Sequence, residues 1–185
     1  EIKKGPEIKN PEPWHVTLET TKKVFHEDNF ARSPRLSMSF PTVNQLDSDA
    51  PALELLGQLL GDGKKAPLYK VIVEDKKLAP NISSFSRTQE IAGTFNISST
   101  AFPTTNLTDV ENSIFDAFEM FEKEGFTIED LDRLKAKYET GFYSGISSIL
   151  NKAFQLGLYN EYYGSPYYIS QDLQRVLDVT EEDIN

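Results

Sequence analysis

Cysteine is absent from this chain, and histidine is represented only by His15 and His26. Without cysteine the chain can form no disulfide, supply no thiol nucleophile and offer no thiolate to a metal ion. Two histidines leave few imidazole ligands for a catalytic transition metal. These shortages predict a chain that carries no catalytic metal centre of its own.

Long apolar runs and an excess of positive charge are also missing. No run approaches the roughly 20 apolar residues that a membrane span needs. Lysine and arginine number 19 against 29 aspartate and glutamate residues, a net charge of −10. Nucleic acids and anionic membranes are bound by clusters of basic residues, so the acidic balance argues against both as partners. We therefore predict no nucleic-acid partner and no membrane span within this chain.

The common signatures of hydrolases and nucleotide-binding proteins are absent too. Neither H-E-x-x-H nor H-x-x-E-H occurs, and there is no G-x-S-x-G. His26–Asp28 could in principle bind a metal, but neighbouring strand residues point to opposite faces, which favours a polar strand end. Gly61–Lys65 follows a predicted helix, whose C-terminus repels phosphate, so a helix cap is favoured over a phosphate loop. We predict no catalytic, cofactor-binding or metal-ligating residue.

The start of the chain differs in composition from the rest. Residues 1–14 contain three prolines and no apolar periodicity, which predicts an extended linker from a preceding domain. Val16–Glu27 is rich in threonine and valine and is predicted to be extended. We expect residues 1–21 to be an interdomain linker with a leading strand segment, and residues 22–185 to be a single domain.

Three segments have the pattern of β-strands. Apolar residues alternate with serines in Leu36–Phe40, which predicts a half-buried strand ended by Pro41. Ile82–Arg87 and Ala92–Ser99 are predicted strands, and the three polar residues between them are short enough for a hairpin.

Helices are predicted between and after these strands. Helix starts are expected at Ala50-Pro51, Pro67, the capping box Thr108–Glu111, Thr127–Asp130, Pro166 and Thr180–Asp183. The acidic residues in the Thr127 and Thr180 starts suit first helical turns, so no acid–base role is assigned to them. The last helix is expected to be truncated near its start. Apolar stripes at helical spacing predict these core residues: Leu53, Leu56, Leu60, Val110, Ile114, Phe118, Leu131 and Leu134.

The order of the elements predicts an α+β fold. Strands, then helices, then a hairpin and further helices suit a two-layer α/β arrangement. In it, an antiparallel-rich sheet has helices packed mainly on one face. Four tyrosines near the C-terminus leave two interpretations open: Tyr162, Tyr163, Tyr167 and Tyr168. They either complete the core with their hydroxyls hydrogen-bonded, or form a docking surface for another domain.

Several stretches in a fixed order resemble one family of peptidases. Within Phe40–Ala79 these are Phe40-Pro41, the acidic turn Asp47–Asp49, the leucine-rich helix Leu53–Leu60 with Gly61 and Gly63, Leu68-Tyr69 and Leu78-Ala79. Glu122–Phe142 and Val179–Asn185 follow the same pattern further on. Together they resemble the second, non-zinc-binding domain of insulinase/pitrilysin-type zinc metallopeptidases, which include the mitochondrial processing peptidase.

The resemblance implies a metallopeptidase companion domain. In such proteins zinc is held in a separate first domain by H-x-x-E-H, and some domains of the opposite half supply an arginine and a tyrosine to the substrate. Those two positions fall here on Val73 and Pro80, so the resemblance implies the companion domain in the same half as the zinc domain.

The implied function is that of a non-catalytic domain of a zinc metalloendopeptidase, inactive alone, which completes a half-shell around peptide substrates. The implied partners are the other domains of the same polypeptide or a homologous subunit, and the zinc cofactor belongs to another domain. The alternative is a structural or peptide-binding subunit with no catalytic partner domain. The bacterial periplasm or cell envelope is the compartment we expect.

Overall fold

The computed structural model describes residue 3, residues 5–9 and residues 17–185. Most of the predicted linker, together with His15 and Val16, lies outside the described residues. Residues 17–34 form no helix or strand, and most of their side chains are exposed. The extended segment expected up to Glu27 therefore pairs with no other strand in the part that is described.

Three antiparallel strands form the sheet. They are β1 (Arg35–Thr42), β2 (Ser83–Thr88) and β3 (Gly93–Thr100), in the order β1-β3-β2. The predicted hairpin is confirmed, with both strands shifted by one residue. The prediction that Pro41 ends β1 is wrong, because Pro41 pairs with Thr94 inside the strand. An edge strand accepts proline where the missing N–H would face away from its neighbour.

Helices cover one face of this sheet. In β3 the side chains of Phe95, Ile97 and Ser99 are buried, and those of Asn96 and Ser98 between them are partly exposed. This alternation places the buried residues on the helical side. The predicted α+β fold, with helices packed mainly on one face of an antiparallel sheet, is confirmed.

The helices account for most of the remaining chain. They are α1 (Ala50–Gly61), α2 (Pro67–Tyr69) with a π-helical continuation Lys70–Asp75, α3 (Leu107–Glu124), α4 (Ile128–Ser147), α5 (Ile149–Tyr163), the 3₁₀ turn Pro166–Tyr168, α6 (Ile169–Leu177) and α7 (Glu181–Ile184). Helices α4 and α7 begin after Thr127 and Thr180, as predicted, and the structure shows that each start is a capping box. The predicted box at Thr108 is wrong: Asn106 caps α3, and its side chain accepts a hydrogen bond from the Thr108 N–H at 3.0 Å.

The buried apolar residues form two clusters. The sheet-side cluster consists of Leu60, Leu68, Val71, Ile72, Ala79, Ile82, Phe95, Ile97, Ala101, Val110, Ile114 and Ala117. The helix-side cluster consists of Ala52, Leu55, Leu59, Leu131, Leu134, Val176 and Val179. Phe121 packs against both clusters, and α1 contributes residues to both. Helix α1 is thus the element that holds the two clusters together.

Most of the predicted core residues are buried. Those that are buried are Leu60, Val110, Ile114, Leu131 and Leu134. Leu53, Leu56 and Phe118 are only partly buried, against the sheet-side cluster. Leu55 and Leu59, which were not predicted, are buried because a second face of α1 packs against α4 and α6.

Candidate functional site

The sequence offered one weak candidate for a metal site, His26–Asp28. His26, Glu27 and Asp28 are exposed in the segment before β1. Within residues 3, 5–9 and 17–185, no three histidine, aspartate or glutamate side chains are grouped so as to hold a metal ion. His15 is outside that description.

The glycines at the end of α1 serve helix packing. A Cβ atom on Gly61 would lie 2.4 Å from the Ser84 hydroxyl oxygen, and one on Gly57 would lie 3.0 Å from the Phe85 Cα. The Ser84 hydroxyl donates a hydrogen bond of 2.6 Å to the Gly57 carbonyl. These contacts bring α1 against β2. Gly61 is therefore explained by the end of α1 and its close approach to β2, and no phosphate loop is needed to explain it.

A pocket of about 270 Å³ lies where α1, α4, α5 and α6 meet. Its polar lining was not singled out in the sequence: Gln45, Glu54, Gln155, Asp172 and Arg175. Four tyrosines, Tyr138, Tyr159, Tyr162 and Tyr163, line it as well. Because these residues come from segments far apart in the chain, no local motif could have indicated the pocket.

Tyr159 is the centre of one hydrogen-bonded chain in this pocket. Its hydroxyl donates to the Asp172 carboxylate at 2.7 Å and accepts from the Gln155 side-chain amide at 2.7 Å. Burial, followed by the hydrogen bond to Asp172, raises the pKa of Tyr159. The hydroxyl therefore stays protonated at neutral pH and ties α5 to α6.

Arg175 forms a second link, between α6 and the loop before α1. Its guanidinium donates to the Gln45 carbonyl at 3.3 Å, to the Tyr163 hydroxyl at 3.3 Å and to the Asp47 carbonyl. The Tyr163 hydroxyl also donates to the Gln45 carbonyl at 3.2 Å. Arg175 thus adds a charged donor to two loop carbonyls, those of Gln45 and Asp47, which also accept from the Tyr163 hydroxyl and the Ala50 N–H.

Two carboxylates, those of Glu54 and Asp172, also line the pocket. The pKa of Glu54 is raised, first by loss of hydration around its carboxyl group and second by the charge of Asp172. Loss of hydration also raises the pKa of Tyr138, and the charge of Glu54 adds to that shift. The pocket therefore combines protonated tyrosine hydroxyls, carboxylates and one guanidinium, and its hydrogen bonds connect α5, α6 and the loop before α1.

The C-terminal tyrosines divide between the two interpretations left open by the sequence. The rings of Tyr163 and Tyr168 stack with centroids 3.7 Å apart, and both pack near Tyr159. These two and Tyr162 are partly buried, whereas Tyr167 is 83% exposed. Most of the group is therefore internal packing, and Tyr167 remains on the surface.

Val73 and Pro80 occupy the two positions that the family resemblance singled out. Val73 lies in the π-helical continuation of α2 and packs against the sheet-side cluster. Pro80 is exposed just before β2. Neither side chain can donate the hydrogen bonds that arginine or tyrosine would offer to a peptide.

Comparison with known proteins places this architecture in a family. The sequence profile described as "Peptidase M16 inactive domain" matches residues 1–138. The zinc protease PqqE of Helicobacter pylori is 27% identical over 130 residues, which cover 70% of this chain and 28% of that protein. The chain thus spans less than a third of the length of this curated relative.

Solved structures share the fold. A protease from Helicobacter pylori superimposes with a TM-score of 0.74 at 22% identity, over 86% of this chain and 38% of that one. The peptidase M16 inactive domain from Pseudomonas fluorescens gives a TM-score of 0.68 at 21% identity, over 83% of this chain and 36% of that one. In the described part of this chain, every helix is too short or too polar to cross a lipid bilayer.

Proposed function

This chain belongs to the peptidase M16 family as an inactive domain, and from that premise we propose that it completes the substrate-enclosing half-shell of a zinc metalloendopeptidase. The observation that carries the proposal is the match of the inactive-domain profile to residues 1–138. An inactive domain of this family is not the part that binds zinc. The zinc expected in the parent protein therefore belongs to another domain.

The role we propose is mechanical. The domain would form a wall beside the zinc-binding domain, so that an extended or unfolded peptide is held near the metal without contacting catalytic groups here. Val73 and Pro80 stand where a domain of the opposite half would supply an arginine and a tyrosine to the substrate. Their identity supports placing this domain in the same half as the zinc-binding domain. The hydrogen bonds of Tyr159 and Arg175 support it further, because they join α5 and α6 to the rest of the fold.

We also propose that residues 22–185 act as one domain and that residues 1–21 connect it to the zinc-binding domain. The participation of α1 in both apolar clusters supports a single cooperative unit. The exposed, irregular course of residues 17–34 suits a connection.

Metal analysis and peptide hydrolysis test this function. Dialysed samples of the 185-residue chain and of the full-length protein are compared for zinc content and for cleavage of a quenched fluorescent peptide. The proposal predicts zinc and chelator-sensitive cleavage in the full-length protein and neither in the chain alone. Stoichiometric zinc with cleavage in the chain alone would refute it. A full-length protein without zinc or cleavage would instead support a structural or peptide-binding subunit.

A further inference from the structure

The strongest unexplained feature of this molecule is the exposed apolar surface of α5. Four large side chains there are mostly exposed: Ile149 at 87%, Leu150 at 64%, Phe154 at 65% and Leu158 at 52%. Ala153 and Gly157 of the same helix are also exposed. These six residues form pairs of neighbours spaced four positions apart, so they occupy about half of the helix circumference. We call these six residues the α5 arc: Ile149, Leu150, Ala153, Phe154, Gly157 and Leu158.

The opposite side of α5 already has its partners within this chain. Tyr159 is buried there, and Gln155 and Tyr163 are partly buried. Helix α5 therefore has one side covered by packing within this chain and one apolar side that is open. A helix of that kind is typical of a buried position between two bodies of protein.

Charge is almost absent from this part of the chain. Residues 140–160 contain one charged side chain, Lys152, whereas 26% of the whole chain is charged. A helix surface that faces water normally carries more charge, and the centre of a protein interface is depleted of it. The composition of the hairpin formed by the end of α4 and by α5 is thus that of an interface.

The glycines of this hairpin lack a reason within the chain. Interior helical glycine weakens a helix relative to alanine. At Gly57 and Gly61 of α1, a Cβ would meet β2, which explains those glycines. A Cβ added at Gly141 of α4 or at Gly157 of α5 would meet no atom within 4 Å. A close neighbour outside this chain would explain them.

We propose that the α5 arc is the surface on which the zinc-binding domain of the same polypeptide docks. This inference rests on the proposed function. The chain spans only 28% of its curated relative and 38% of a structurally similar protease chain, so such proteins have ample further polypeptide to cover the arc. Contiguous exposed apolar side chains mark protein–protein contact sites. The zinc-binding domain, which we propose is joined through residues 1–21, is the neighbour that is always present.

Cysteine labelling in the full-length protein tests the docking. Because residues 1–185 contain no cysteine, a single introduced thiol here can be followed by peptide mass spectrometry. Ala153→Cys probes the arc, and Ala136→Cys is the matched control, an exposed alanine on α4 in a charged environment. Native Ala153→Cys should react with a maleimide roughly tenfold or more slowly than the control, as a site reached only by transient opening does. Equal rates would overturn the proposal.

The identity of the neighbour is tested by photo-crosslinking. Benzoylphenylalanine in place of Phe154 should form a cross-link to a peptide of the zinc-binding domain. Two results together would overturn the assignment to the zinc-binding domain. The cross-link would join residues 1–185 of a second copy, and the slow maleimide labelling at position 153 would become fast on dilution. Gly157→Leu in the Ala153→Cys protein should speed labelling towards the control rate, because a bulky side chain would block close approach.

The outcome is separable from that of the proposed function. Absence of zinc and of hydrolysis in the full-length protein would refute the proposed function whatever the labelling rates are. Equal labelling rates in a zinc-containing, active protein would refute only the docking surface.

Discussion

Leu134 and Leu56 show how burial distributes stability among the leucines of this fold. Leu134 is fully buried in the helix-side cluster, whereas Leu56 is only partly buried against the sheet-side cluster. Leu134→Ala should lower the free energy of unfolding by about 2–5 kcal/mol, the usual cost of a cavity in a packed core. Leu56→Ala should cost less. Denaturant titration measures both, and equal losses would show that the burial assigned to α1 and α4 is wrong.

The glycines offer a comparison with opposite expected signs. Gly157→Ala should raise the free energy of unfolding of the 185-residue chain by about 0.5–1 kcal/mol, because alanine favours the helix and its methyl group meets nothing. Gly61→Ala should lower it by about 1–3 kcal/mol, because the methyl group would collide with Ser84. Thermal unfolding of the two variants tests this. A destabilising Gly157→Ala would show that the glycine is needed inside the chain.

Glu54 gives the pocket a pH dependence. The pKa of Glu54 in the folded protein is raised above 4.5, its ordinary value in the unfolded chain. Between the unfolded and the folded pKa, the folded state therefore binds more protons than the unfolded state. Stability from this group is therefore lost as pH rises through that window. Glu54→Gln should make the protein more stable than wild type at pH 7, and the difference should vanish as pH falls below 4.5. Urea titrations at several pH values measure it; a difference that grows on acidification would contradict this assignment.

At the scale of elements, helix ends were predicted better than helix faces. Capping boxes use neighbouring residues, so Thr127 and Thr180 could be identified locally. Asn106 was missed because Thr108 offered a competing pattern two residues later. In α1 the prediction missed the buried Leu55 and Leu59, because this helix packs on two sides. A single apolar stripe predicts only one buried face.

The pocket could not be predicted from the sequence for a different reason. Arg175 bonds to the carbonyls of Gln45 and Asp47, about 130 positions earlier in the chain. No periodicity or motif relates residues so far apart. The family resemblance supplied the fold and the absence of a zinc site, whereas the side-chain network required the structure.

The capping box of α4 should contribute measurably to stability. The Thr127 hydroxyl accepts from the Asp130 N–H at 3.1 Å, and hydrogen bonds from Thr127 hold the pKa of Asp130 below its usual value. Thr127→Ala should cost about 1 kcal/mol. Thr140→Ala on the same helix is the control, because its hydroxyl donates to the Ala136 carbonyl within the helix and does not cap the helix end. Losses of equal size for the two variants would show that the cap is not what stabilises α4.

At the scale of the whole molecule, the fold has a well-packed interior and one surface that suits a covered position. The two apolar clusters, the pocket hydrogen bonds and the capped helices join the described elements into one body. The α5 arc is the surface of that body that we propose is covered by another domain. These properties suit a domain that supports the chemistry of a neighbour.

Reconstitution of peptide cleavage from two pieces tests this account most directly. The 185-residue chain and the remainder of the full-length protein are prepared separately, and cleavage of a quenched fluorescent peptide is measured for each and for the mixture. We expect no cleavage by this chain, little by the remainder alone, and chelator-sensitive cleavage when the two are combined. Cleavage by this chain alone, or an unchanged rate for the remainder with and without it, would contradict the account.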